Sequence, residues 1–317
     1  MLTCSIIATA RNEGPFIIEW IAHHLGMGFD KILVATNDCD DFTAEILVAL
    51  QPHFPVVHIE NEVREKSITI QRQAVRKCLS HPENTNQDWC FHIDLDEFVN
   101  ITAEHKDISS VMGEFCCADA VSVNWRVFGS DNRDIWDGGS VIDTFLSAQS
   151  SPSQPNVTKF AFRPNIFRDC APHCPKAPQK EIDDLRVVTS AGDQLDATTC
   201  FQERGTVLSF PDELATWDRM WIAHYMHKSR DLTRHSSNFR GDANGRRNSK
   251  KRTVGSLRYI HYDLNEQYCY PDPELRQKRI QVQNEIFTLP KVRALHYRSL
   301  EWHFEKLVSN NKLPTNP

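Results

Sequence analysis

The sequence predicts an α/β fold: a Rossmann-like, mostly parallel sheet flanked by helices, with a C-terminal helical extension. Two observations lead there. Strand-like and helix-like segments alternate along the N-terminal third, a pattern that gives parallel strands joined by crossover helices on both faces. The fourth apolar segment, Trp89-Cys90-Phe91-His92-Ile93, then runs into Asp94-Leu95-Asp96-Glu97, placing three acids where such sheets gather their ligands.

Each element has its own warrant. Leu2 to Ala8 is an apolar strand, and Arg11 to Pro15 is a loop. A helix from Phe16 to Leu25 sets Ile17, Ile18, Ile21 and Leu25 at helical spacing, and Gly26 and Gly28 end it. Lys31 to Ala35 is the second strand, Asn37 to Asp41 a polar turn, and Phe42 to Leu50 a helix with Asp41 near its cap. Pro55 to Ile59, Thr69 to Leu79 and Trp89 to Ile93 continue as strand, helix and strand. A helix over Ile108 to Phe115 precedes strands at Ala120 to Phe128 and Thr158 to Phe162. The excursion between those strands, with Gly129, Gly138 and Gly139, has the length of a functional loop. Pro164 to Pro178 reads as irregular. A helix capped by Asp212 is predicted through Thr216 to Asp231, and two more over Pro273 to Phe287 and Val292 to Val308.

Composition narrows the function classes. Forty per cent hydrophobic residues in a chain of 317 support a substantial core. With 36 basic and 42 acidic residues the net charge is −6, which argues against nucleic acid as a partner. No apolar run is long enough to span a membrane, and Arg11, Asn12 and Glu13 interrupt the apolar N-terminus, so a cytoplasmic protein is expected. The ten cysteines lack paired C-x-x-C spacing, and the one cluster, Cys170, His173 and Cys174, has no second cluster to complete a zinc site. Free thiols are expected.

The acids carry the chemistry. Burying carboxylates at a strand end is costly unless a cation neutralises them, which points to Mg²⁺ or Mn²⁺ and to phosphate chemistry. On a strand, Asp94 and Asp96 would share one face and reach one ion, with Leu95 turned into the core. The loops at Thr9 to Glu13 and Asn37 to Asp41 follow neighbouring strands and would line the same cleft.

These segments resemble a known family. Thr9-Ala10-Arg11-Asn12-Glu13, Glu19-Trp20 with His23-His24, Asn37 to Asp41 and Ile93 to Phe98 are similar to the family 2-like glycosyltransferases that border family 92. Asn124 to Ser130, His173-Cys174-Pro175, His224-Tyr225 with Lys228-Ser229, and Phe239-Arg240-Gly241 follow in the same order. The resemblance implies a GT-A fold over residues 1–245, with 1–100 binding a nucleotide-sugar and 101–245 carrying acceptor and catalytic functions. Residues 246–317 would be a basic loop and helical extension. It implies a nucleotide-sugar donor, UDP-linked by preference, a divalent ion bridging its diphosphate, and a glycan or glycolipid acceptor. A lipid-linked acceptor would bring peripheral association with the inner face of a membrane.

By the same resemblance Asp96 is the direct metal ligand, Asp94 a ligand through water or a ribose contact, and Glu97 an orienting group. Thr9, Arg11, Glu13 and Asn37 would hold the nucleoside, with Arg72 reaching the cleft. His224 would complete the metal shell, with His173 as competitor. Four residues separate His224 from Lys228, which on a helix would aim both at one diphosphate. Inverting transfer needs a general base, for which Asp143 is the first choice and Asp183 and Asp184 are alternatives. The basic run of Arg240, Arg246, Arg247, Lys250, Lys251 and Arg252 would close over an anionic substrate, with a solvated loop as the plain alternative, and Arg240 is its most specific member.

Overall fold

Residues 2–62, 68–201, 210–233 and 254–310 are described by the structure, a computed structural model. The chain runs through β1 (Cys4–Ala10), α1 (Gly14–Gly26), β2 (Lys31–Thr36), α2 (Thr43–Leu50), β3 (Val56–Glu60), α3 (Ile70–Ser80), α4 (Pro82–Thr85), β4 (Trp89–His92), β5 (Glu97–Ile101), α5 (Ile108–Gly113) and β6 (Ala120–Val127). There follow α6 (Val141–Thr144), β7 (Ser147–Ala148), β8 (Thr158–Phe162), β9 (Phe167–Cys170), β10 (Pro175–Pro178), β11 (Val187–Thr189), β12 (Gln194–Leu195), α7 (Ala197–Phe201) and β13 (Met220–His224). The last described elements are α8 (Leu257–Tyr262), β14 (Gln267–Tyr268), α9 (Pro273–Phe287) and α10 (Pro290–Asn310).

The expected mostly parallel α/β sheet flanked by helices is present, ordered β12-β11-β6-β8-β4-β1-β2-β3. β4, β1, β2 and β3 run parallel, and β8 lies antiparallel between β4 and β6. β13 is parallel to β6 and antiparallel to β5. The carboxyl ends of β4, β6 and β13 therefore point the same way.

Side chains alternate between the sheet's two faces, as the period of a strand requires. Ile6, Ala8, Ile32, Val34 and Phe91 join one core with Ile17, Ile18 and Ile21 of α1. Ile7, Leu33, Ala35 and Cys90 join a second with Ala74, Val75, Cys78 and Leu79 of α3. Each fully buried isoleucine contributes about 1.5–3 kcal/mol over an exposed one. The C-terminal pair completes the first layer, where α9 and α10 pack on α1. Gly14 permits this contact: a Cβ there would lie 2.0 Å from Ser299 Oγ and 2.8 Å from the Asp41 carbonyl.

Three expectations are corrected. The helix predicted over Thr216 to Asp231 is replaced by a short helical turn at Asp212–Leu214 and then strand β13. β13 lies between β5 and β6 and is mostly buried, so Met220 to His224 shows none of the alternation that marks a half-exposed strand. Pro164 to Pro178, expected to be irregular, contains the paired strands β9 and β10. The strand before the acids ends at His92, so Asp94 to Asp96 lie in a turn and the shared-face argument does not apply.

Candidate active site

The turn is held by its own backbone and by what packs beneath it. The Asp94 backbone N–H donates to Glu97 Oε2 at 2.9 Å, and the Trp20 indole donates to the Glu97 carbonyl at 2.7 Å. The Tyr225 N–H donates to the Asp96 carbonyl at 2.9 Å, tying the turn to the end of β13. Leu95 is buried, while Asp94 and Asp96 keep 35% and 17% of their side chains exposed.

A cation already sits among these acids. Lys159, on β8 and 1% exposed, places Nζ 3.0 Å from Asp94 Oδ2 and 3.3 Å from Glu97 Oε2. Burial works against the lysine's charge, yet Asp94 and Glu97 raise its pKa above the ordinary lysine value. Burial would likewise raise Asp94, but Lys159 outweighs it and holds that carboxyl below its usual range. For Glu97 burial wins, and the pKa is raised despite Lys159. Lys159 thus places a cation of the protein's own beside Asp94 and Glu97.

Asp96 faces a different partner. His224 Nε2 lies 3.7 Å from Asp96 Oδ1, too long for a hydrogen bond. Two ligand atoms each about 2.0–2.2 Å from one ion stand about 3–4 Å apart, so the span suits a bound divalent cation. Burial pushes the His224 pKa down to about 4, leaving a neutral imidazole able to ligate. Its ring packs edge-on against Trp125 at 4.1 Å between centroids, and Nδ1 is buried with no hydrogen-bond partner among the described residues. The Asp96–His224 pair thus fits Mn²⁺ or Mg²⁺. Among the described residues no group of three or more His, Cys, Asp or Glu side chains is arranged to hold a metal.

The expected face shared by His224 and Lys228 is absent, because His224 ends a strand. Lys228 is buried, donates to the Tyr225 carbonyl at 3.2 Å and lies 5.0 Å from the Phe16 ring centroid. His173 contacts the Thr158 carbonyl through Nδ1 at 3.1 Å and packs against Trp125 at 5.2 Å between ring centroids. Both competing histidines pack against the Trp125 ring, and His224 is the one 3.7 Å from Asp96.

The two N-terminal loops are stapled together. Asp41 accepts from the Gly14 N–H at 2.7 Å and from Thr43, and Asn12 Oδ1 accepts from the Asp40 N–H at 2.9 Å. The Glu13 N–H donates to Thr43 Oγ1, Thr9 stands near the end of β1, and Asn37 donates to Asp38 at 3.3 Å. Arg11 Nε is buried without a hydrogen-bond partner among the described residues. Arg72 does not point at the acids: with Arg76 it grips Asp169, while its neighbour Gln71 approaches Asp94 Oδ1 at 3.4 Å.

Asp143 sits against the C-terminal helices. Its oxygens take Arg276 Nε at 2.9 Å and Arg279 Nη2 at 2.6 Å. Burial would raise its pKa, but the two arginines outweigh it and hold the carboxyl below its ordinary value. Asp183 and Asp184 are exposed in a short helical turn. Arg240 and the rest of the basic run lie outside the described residues.

Lys159 and Gln71 are the neighbours of the acids that sequence reasoning missed. Lys159 carried a signal, as the one charge in the apolar strand Thr158-Lys159-Phe160-Ala161-Phe162. Gln71 carried none.

No family model matches the chain, and no curated protein matches it. Among solved structures it is similar to TarS 1–349 of S. aureus, at 13% identity and a TM-score of 0.35, over 52% of this chain and 48% of that one. It is similar to glucosyl-3-phosphoglycerate synthase from Mycobacterium tuberculosis in complex with Mn²⁺, UDP and glucosyl-3-phosphoglycerate, at 18% identity and a TM-score of 0.28, over 39% and 44%. A putative glucose-1-phosphate thymidylyltransferase from Bacillus anthracis matches at 12% identity and a TM-score of 0.32, over 52% and 73%. The chain covers about half the length of the first of these. Such loose overlaps choose no activity, and the chain's own residues carry the functional argument. Among the described residues no helix is long and apolar enough to cross a membrane.

Proposed function

We propose that this chain is a metal-assisted glycosyltransferase that moves a sugar from a nucleotide-sugar, UDP-linked by preference, to a glycan or lipid-linked acceptor with inversion. The observation that carries the reading is the facing pair Asp96 and His224, set at the carboxyl ends of β4 and β13 beside the loop after β1. A divalent ion held there would supply Lewis-acid stabilisation to a departing diphosphate. Asp94, oriented by Lys159, would accept from a ribose hydroxyl, and Thr9, Arg11, Glu13 and Asn37 would line the nucleoside side. A pyrophosphorylase would carry a glycine-rich phosphate loop after the first strand; here the loop's single glycine, Gly14, is covered by Ser299 and Asp41. Asp143 could act as base only after Arg276 and Arg279 release it. Loss of turnover in Asp143→Asn at unchanged nucleotide affinity would mark a base, and unchanged turnover with a lower melting temperature would mark a structural tie.

The deciding experiment is calorimetric titration of UDP and GDP, with and without Mn²⁺, into the wild-type chain and Asp96→Asn. Metal-dependent UDP binding that disappears in Asp96→Asn is the expected result. Absence of binding by either nucleotide under every metal condition overturns the reading.

A further inference from the structure

We infer that Cys116 and Cys117 form a redox-active dithiol, a modification site that a low-molecular-weight disulfide closes to a ring and the matching thiol reopens. The ten cysteines all lie within the described residues, and these two are exposed while the rest are buried or half-buried. Their sulfurs stand 3.7 Å apart, in contact without being bonded. Exposure decides which thiols an external disulfide can reach, so access and proximity coincide at this one pair.

The chemistry balances with a single co-reactant. The thiolate of one cysteine attacks a sulfur of a disulfide such as oxidised glutathione, and the first glutathione leaves as its thiolate. The neighbouring thiolate then attacks the sulfur bound to the protein, the Sγ–Sγ bond forms, and the second glutathione leaves. Two protein thiols are oxidised, one glutathione disulfide is reduced to two thiols, and the two protons follow the leaving sulfurs. The peptide between the cysteines is trans, which sets their Cα atoms about 3.8 Å apart. Ordinary disulfides span roughly 4.4–6.8 Å between Cα atoms, so the ring closes under strain and is the more easily reduced.

Arg163 holds the dithiol open. The peptide that joins the two cysteines carries the Cys116 carbonyl, which accepts from Arg163 Nη2 at 2.9 Å, and Arg163 Nε donates to the Ala118 carbonyl at 2.9 Å. The same guanidinium lies 4.3 Å from the ring centroid of Trp89, the first residue of β4. Drawing the sulfurs from 3.7 Å to the about 2.05 Å of a bond turns that rigid peptide plane and pulls its carbonyl off the guanidinium. Arg163 is thus a positioning residue for the thiols. The pair stands before the amino end of β6, whereas His224 ends β13, which runs parallel to β6, and the inference does not rest on the proposed function.

The test incubates the full chain in mixtures of reduced and oxidised glutathione, alkylates the remaining thiols, and reads the intact mass and the peptide map. Wild type is expected to lose two hydrogens without retaining glutathione, with the linkage in the peptide that holds Cys116 and Cys117, and excess reduced glutathione is expected to restore the thiols. Cys116→Ser and Cys117→Ser should each stop at a mixed disulfide on the cysteine that remains. Folded Arg163→Met is expected to shift the closed-to-open ratio about fivefold toward the ring, the size of one lost hydrogen bond. A wild type that stays reduced at every ratio, that keeps glutathione on either cysteine without closing, or that joins another pair of cysteines would overturn the inference. A ring that reduced glutathione does not reopen would overturn its reversibility, and an unchanged ratio in folded Arg163→Met would overturn the clamp. If Arg163→Met does not fold, wild type and the two serine variants decide the site.

Discussion

Two buried cations each bridge two carboxylates in this molecule, and the clusters differ in how completely they are satisfied. Arg279, 2% exposed, spans Glu19 and Asp143. Glu19 also accepts from the backbone N–H groups of Val141 and Ile142 and from Ser140, and Asp143 takes Arg276 as well. Lys159 spans Asp94 and Glu97, but Glu97 Oε1 is buried with no hydrogen-bond partner among the described residues and Asp94 is about a third exposed. The planar fork of arginine suits a closed network, whereas an ammonium is a point charge that leaves acceptor capacity on its partners. Spare capacity beside an open face marks a place for a ligand; a closed network marks architecture. The first cluster fastens α9 to α1, and the second holds the turn after β4.

The sharpest way to break this contrast is Arg279→Met. Removing one partner of a buried pair leaves Glu19 without its counter-cation, while Asp143 keeps Arg276, and the expected loss is about 3–5 kcal/mol in urea unfolding. Nucleotide affinity of the folded fraction should be unchanged, because the arginine touches none of Asp94, Asp96 or His224. A large affinity loss without a stability loss would reverse the assignment of the two regions.

The next effect in size belongs to the open cluster. His224→Gln keeps volume against Trp125 but removes the imidazole, and metal-dependent nucleotide binding should weaken about 10–100-fold. Calorimetry with Mn²⁺ checks this, and a variant that binds as the wild type does would remove His224 from the metal shell.

The contrast also explains what could be read from the sequence. Strand and helix alternation over β1 to β4 was legible because period-two and helical spacings are local, and Thr69 and Asp41 announce their helix starts chemically. The acidic turn was legible as a cluster, but its neutralising cation was not, since Lys159 is 65 residues away from Asp94 in the chain. β13 was misread because Met220 to His224 is an apolar run too short to separate strand from helix. Arg279 was invisible for a different reason. In Pro273-Glu274-Leu275-Arg276-Gln277-Lys278-Arg279 three cations follow closely, and nothing local says that the third is buried against a glutamate 260 residues earlier. Asp143 was singled out as an acid near a loop, and the arginines that engage it lie on that same distant helix.

The smallest effect is a pH dependence that tests the tie between Asp143 and its two arginines. The arginines hold its folded-state pKa below the ordinary 3.8, against the upward push of burial. The unfolded chain therefore binds this proton more readily, and the pair's stabilisation is complete above 3.8 and lost as pH falls through the folded value. With 26% of the side chain exposed, solvent screening limits the contribution to about 1 kcal/mol or less. The expected result is a gap in urea midpoint between wild type and Asp143→Asn that is constant from neutral pH to about 5 and closes below about 4. A gap that widens in acid would mean that the carboxyl is stabilised in its protonated form. That state is incompatible with the double arginine pair.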